Sequence, residues 1–311
     1  MTGLLAPLLA PLLASVIAAS TPLLLAAVGE LVVERAGVLN LGVEGMMLAG
    51  AIAAFAVAHG TGAASLGLLA ALLAGIALSL VFAAVALTLQ ANQTATGLAL
   101  TIFGRGFSAL VGAGYVGIAA PTLPKLAVPG LSDLPFVGPV LFAHDALVYF
   151  ALAALAAVAW MIRSTHAGLV LRAVGDSHDA AHALGYPVVA IRYAAVVFGG
   201  ALAGLAGAYM SLAYTPLWAQ DMTAGRGWVA LALVTFSAWR PIWLLVGAWF
   251  FGGLMYLSLY VQALGAPVPS ALLSALPYIG TVVVLVLISR DRRRIRLNRP
   301  AMLGLPFQAR V

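Results

Sequence analysis

Polar residues in this chain are confined to short clusters, and the stretches between them are almost unbroken Ala, Leu, Val and Gly. A helix needs about 20 such residues to cross a hydrocarbon core. By that measure the pattern predicts about nine spans (eight to ten): 8–30, 45–60, 64–89, 93–115, 146–162, 193–213, 227–239, 241–262 and 270–289. The runs are too long and too lacking in alternation for a β-barrel. The expected fold is all-α, a polytopic transmembrane helical bundle in which residues 1–311 form a single domain.

Composition agrees, with 64% hydrophobic and 8% charged residues, against roughly 45–50% and about 25% in soluble domains. The net charge of +6 would point to nucleic acid in a soluble protein. Here the arginines cluster as they do beside a lipid bilayer, so no nucleic-acid partner is expected. The apolar N-terminus has no Lys or Arg before its run and no clear processing site, and reads as part of the mature protein. Residues 1–28 are one span or two elements, the first lying at the interface.

Loop charge sets the orientation. The loop 163–192 carries Arg163, Arg172 and Arg192, and RDRRRIRLNR at 290–299 opens a basic tail, 290–311. The positive-inside rule makes both cytoplasmic. Counting back, 116–145 falls outside, as does the N-terminus, while the C-terminus is inside. The Pro- and Gly-rich 116–145 is either a connector or a docking surface for something external.

Several chemistries are excluded. Cysteine is absent, and the single lysine, Lys125, lies in LPKLA, so no GxxxxGK[ST] phosphate loop exists. ATP hydrolysis cannot belong to this chain alone, and none of its own residues calls for a cofactor. There is no HExxH, and Ser108 lacks a histidine base at its own depth. The chain is not expected to be an enzyme.

Two polar clusters interrupt the apolar pattern. LRAVGDSHDAAHALGYPV at 171–188 predicts a two-turn helix over 177–184. Asp176 or Ser177 caps its start, Asp179 suits the helix dipole, Gly185 ends it left-handed and Pro187 forbids continuation. Ala180, Ala181 and Leu184 fall on one face, with His178, Asp179 and His182 elsewhere. Two turns are unstable alone, so the helix is either a well-capped connector or a docking element seated in a partner.

GELVVERAGVLNLGVEGMMLAGA at 29–51 is either a cytoplasmic loop or an interrupted helix dipping towards the midplane. In the second case Asn40 and Glu44 face the pathway, and Glu34 and Arg35 form a structural ion pair. Arg105 is an intramembrane suspect in its own right, with one of the acids at 30–44 as its expected partner.

RAVGxxxxAAxxxGxxV, matched by Arg172, Ala173, Val174, Gly175, Ala180, Ala181, Gly185 and Val188, and the small-residue run FGGALAGLAGAYM at 198–210 resemble permease subunits of ATP-binding-cassette importers. The branch is that for branched-chain amino acids, ribose and nucleosides. ERAGVLNLGVEGMM narrows the likeness to its nucleoside and simple-sugar members, and GRGWVALALVTFSAWRP at 225–241 and LPYIGT at 276–281 extend it over nearly the whole chain. The resemblance implies that 177–184 is a coupling helix, with Arg172, Gly175, Asp176, Ala180, Ala181, Leu184 and Gly185 contacting a cytoplasmic ATPase that holds the ATP and Mg. It also implies a prokaryotic plasma-membrane setting, a second, different permease chain and an extracytoplasmic substrate-binding lipoprotein. Asn40 and Glu44 would then bond ribose hydroxyls or a base edge in passing. The competing reading is an ion-coupled secondary transporter without an ATPase, but the spans lack the deep carboxylates or histidines that coupling normally needs.

Overall fold

In the computed structural model, residues 2–119, 121–127, 129–265, 268–289 and 298–308 are described. Helix α1 spans Thr2–Arg35, α2 Val43–Thr61, α3 Ala64–Ala83 with a π-helical extension to Thr88, and α4 Gln93–Gly112. A short ladder pairs β1, Lys125–Ala127, with β2, Ala143–Asp145, and α5, Val137–Leu141, lies between them. Then follow α6 at Ala146–Ser164, α7 at His166–Asp176, α8 at His178–Ala183 and α9 at Val188–Tyr209, which continues as π-helix to Tyr214. The last helices are α10 at Arg226–Phe236, α11 at Pro241–Ala263 and α12 at Ser270–Ser289.

Among the described residues, seven helices are long and apolar enough to cross a membrane: α1, α2, α3, α4, α6, α9 and α11. The N-terminal run is one helix and not two elements. It is buried all round from Leu23 to Val33, with Glu30 the one polar residue in that stretch, which places it at the centre of the bundle. Small residues let its neighbours close in: a Cβ on Gly50 of α2 would enter the backbone of α9 at Gly204, the close approach by which membrane helices gain dispersion energy.

The expected span 227–239 differs from the rest. Its helix, α10, has 11 residues, about 16 Å at 1.5 Å per residue, roughly half of a 30 Å hydrocarbon core. The other half is irregular chain. Trp218 and Leu217 bridge to Val116 and Ala119 at one end of the bundle, whereas the Trp239 carbonyl accepts from Arg35 Nη2 at the other. Residues 215–225 and α10 together therefore run from one end to the other.

The segment 36–42, between α1 and α2, is a second break. Its Leu39 amide donates to Gln93 Oε1 at 2.8 Å, and Gln93 Nε2 donates to the Leu305 carbonyl. Gly45 instead lies against Leu100 and Thr101, eight residues further along α4, or about 12 Å. The chain therefore climbs into the bundle before α2 begins, in line with the interrupted-helix alternative. Irregular backbone is tolerated at such depth when protein surrounds it, and Ala36, Val38 and Asn40 are fully buried.

Candidate functional site

The two breaks meet at Glu44. Its Oε1 accepts from the Thr223 hydroxyl at 2.5 Å and the Gly225 amide at 2.9 Å, and its Oε2 from the Gly227 amide at 2.6 Å. These are the free donors at the N-terminus of α10, where a carboxylate also complements the helix dipole. Arg226 Nη1 pins the same turn by donating to the Met222 and Thr223 carbonyls. Gly227 has to be glycine, because a Cβ there would sit 2.7 Å from the Glu44 backbone.

A cavity of about 420 Å³ opens beside this junction, lined by Glu44, Arg105, Asp221, Gly225, Trp228 and Tyr278 among others. Arg105 projects from α4 and makes a bidentate pair with Asp221, at 2.9 and 2.8 Å. Its partner is thus Asp221 and none of the acids at 30–44. Tyr278 of α12 reaches across to donate to the Ala224 carbonyl at 3.3 Å. An ion pair, two aromatic faces and a buried carboxylate around one polar cavity form an arrangement able to hold a small polyhydroxylated or aromatic solute.

Of the three expected pathway residues, Glu44 and Arg105 come together here. Asn40 lies elsewhere: its amide nitrogen donates to Met46 Sδ at 3.6 Å, its Oδ1 accepts from the Gly42 amide, and its backbone N–H donates to Glu30 Oε1. The expected Glu34–Arg35 ion pair is absent among the described residues. Glu34 Oε2 accepts from the Trp239 indole at 2.6 Å, while Arg35 donates to the Trp239 and Asn298 carbonyls. Asp221, Trp228 and Tyr278 escaped the sequence reading. The Thr-Ala-Gly-Arg-Gly run at 223–227 was the one local signal, being a set of free helix-start amides.

The polar island folds nearly as its residues dictate. Ser177 caps α8, its Oγ accepting from the Ala180 amide at 3.2 Å, while Asp176 ends the preceding helix. Gly185 is left-handed, φ +86°. The faces differ from expectation. His178 and Ala181 are the buried pair, whereas Ala180 is exposed and Leu184 is 75% exposed. His178 turns inward because its ring packs on Phe307, centroids 5.6 Å apart. Burial, reinforced by the Arg192 charge, pushes its pKa down to about 4, so it sits there as a neutral ring.

Behind α8 the contacts lead to the break at 36–42. A Cβ on Gly175 would enter the Arg35 carbonyl, and one on Gly37 would come within 3.2 Å of His178 Nε2. The Gly37 carbonyl accepts from the Gly304 amide at 3.1 Å and Arg192 Nη2 at 3.3 Å, and the Met302 amide donates to the Gly175 carbonyl. Arg172 Nε folds back to the Gly168 carbonyl within α7.

Residues 12–288 match the family described as branched-chain amino acid transport system / permease component. A putative glucose ABC transporter permease protein of Haloferax volcanii is 41% identical over 307 residues, 92% of this chain and 93% of the relative. The guanosine ABC transporter permease protein of Bacillus subtilis is 33% identical, covering 86% of this chain and 88% of its own. The nucleoside ABC transporter permease protein of Lactococcus lactis is 31% identical, with 86% and 89% covered. No solved structure matches. These relatives are transport components rather than enzymes, and a chain with seven apolar membrane-length helices that matches them almost end to end is a multi-pass plasma-membrane protein. It belongs to the branched-chain amino acid transport system / permease component family.

Proposed function

We propose that this chain is one of two permease subunits in an ATP-driven importer, and that it carries a nucleoside or a simple sugar through the cavity beside Glu44. The observation that carries the proposal is a connected path: the exposed Ala180 on α8 and Leu184 just past its end, then His178 and Gly175 against Gly37, then the chain climbing to Glu44 and the start of α10. A partner that pulls on α8 moves the base of that climb. The end carrying α8 and residues 298–308 is the cytoplasmic one, in keeping with the arginines of the loop and tail.

The relatives named for glucose, guanosine and nucleosides support a polyhydroxylated solute. Trp228 and Tyr278 supply faces for a base or a sugar ring, and Arg105 and Asp221 supply a donor and an acceptor for hydroxyls. Glu44 is already satisfied by three donors, so its role is to hold α10 in place while the solute passes. ATP and Mg belong to the partner ATPase, which closes on ATP and opens the cavity to the outside. A binding lipoprotein delivers the solute there, and the second permease is a different, related chain.

The reading is tested by uptake of labelled glucose and labelled guanosine in cells with and without this chain. Uptake of one solute that depends on the chain and survives collapse of the ion gradients, but ceases on ATP depletion, is expected. Uptake abolished by an ionophore while ATP remains would establish the ion-coupled alternative instead.

A further inference from the structure

A second cavity, of about 600 Å³, lies far from the Glu44 site, between α6 and α11 at the end of the bundle that carries α7. Four of its lining residues are arginines: Arg35, Arg163, Arg172 and Arg240. Among the described residues that line it there is no acid. The carboxylates whose field reaches Arg35 are those of Asp176 and Glu34, and Glu34 is already bonded to the Trp239 indole. Among the described residues the side chains of Arg163 and Arg240 make no hydrogen bond, and Arg35 Nε is buried without one.

Apart from Asn298, the remainder of the wall is apolar. It follows α6 from Ile162 back through Ala159 and Leu155 to Leu152, and is closed on the α11 side by Ile242 and Leu245. From Arg163 to Leu152 is 11 residues, about 16 Å along the helix, or half the thickness of a hydrocarbon core. A soluble protein cannot follow a groove to that depth. An acyl chain can.

We infer that this groove binds one anionic phospholipid, its phosphate held by the arginines and an acyl chain laid between α6 and α11. Like charges gathered at a membrane boundary with no acid lining the same groove among the described residues are unfavourable unless an anion joins them, and basic pockets between membrane helices are the known answer to anionic headgroups. Arginine suits the purpose, since its planar fork meets two phosphate oxygens at once.

The full chain, purified in mild detergent, is mixed with equal amounts of phosphatidylglycerol and phosphatidylcholine, and native mass spectrometry counts the lipids retained. One phosphatidylglycerol is expected to stay bound. The double variant R163Q/R240Q, at two exposed positions, should lower that retention roughly 30-fold, at about 1 kcal/mol per arginine, with an unchanged melting temperature. A159W, which fills the apolar wall and leaves every arginine, should lower it as well. Equal retention of the two lipids, retention unaffected by R163Q/R240Q, or competition by millimolar glycerol phosphate as strong as by the lipid would each overturn the inference. So would full release of the lipid on adding the partner ATPase, which would make the arginines a protein contact.

Discussion

Glu44 Oε2 lies 2.6 Å from the amide nitrogen of Gly227, with 183 positions of sequence between them. One carboxylate thus ties the first turn of α2 to the first turn of α10, and it is nearly buried in doing so, at 5% exposed. Replacing it with alanine strands the Thr223 hydroxyl and the Gly225 and Gly227 amides. At about 1–3 kcal/mol for an unsatisfied buried group, Glu44→Ala is expected to lower the melting temperature in detergent markedly and abolish uptake. Glu44→Gln, which keeps one acceptor oxygen, should lie between the two. An unchanged melting temperature for the alanine variant would remove Glu44 from this role.

Gly45 tests the depth of the break at 36–42. A Cβ there would meet the Leu100 carbonyl at 2.5 Å and Thr101 Cα at 2.8 Å, both backbone. Gly45→Ala should push α2 away from α4 at a cost of about 1–3 kcal/mol, seen as a lower melting temperature. Gly60, whose Cβ would meet nothing, is the control, and Gly60→Ala should leave stability unchanged.

The Arg105–Asp221 pair is solvent-accessible, with side chains 58% and 41% exposed. Such pairs contribute at most about 1 kcal/mol. Arg105→Ala is therefore expected to leave the melting temperature nearly unchanged while cutting uptake by an order of magnitude or more, through the lost donor to the solute. Wild-type uptake in this variant would move the pathway away from the cavity.

His178 makes the α8 region sensitive to acid. Its folded pKa of about 4 lies below the ordinary histidine value of 6.5, so the neutral ring is the form the fold accommodates. The resulting stability is fully present above about pH 6.5, declines as pH falls through the window between the two values, and is lost below pH 4. Hydrogen exchange of residues 175–190 should rise between pH 6.5 and 4 in the wild type and much less in His178→Gln. Equal rise in both would contradict the assignment.

Local features were the legible part of the sequence. Ser177 as cap and Gly185 as left-handed stop follow from neighbouring residues alone, and both are found. The face of α8 was misjudged because histidine was counted as polar, whereas His178 is neutral and packs on Phe307, 129 positions away in sequence. Glu44 stood out as an acid beside apolar spans, but its partners were invisible: the Thr223 bond spans 179 positions. Hydropathy also made 227–239 look like the other spans, since apolar content does not record that α10 starts halfway through the bundle.

If a partner ATPase grips this chain at α8, Leu184, three-quarters exposed just past its end, is where the grip is broken with least damage to the fold. Wild-type chain and Leu184→Asp are each drawn from native membranes in mild detergent, and what comes with them is identified by mass spectrometry. An ABC ATPase and a second, related permease should accompany the wild type, and the ATPase should be lost from Leu184→Asp while the second permease and the melting temperature are kept. Undiminished ATPase on Leu184→Asp, or no ATPase with the wild type in a detergent that keeps another importer intact, would contradict the account.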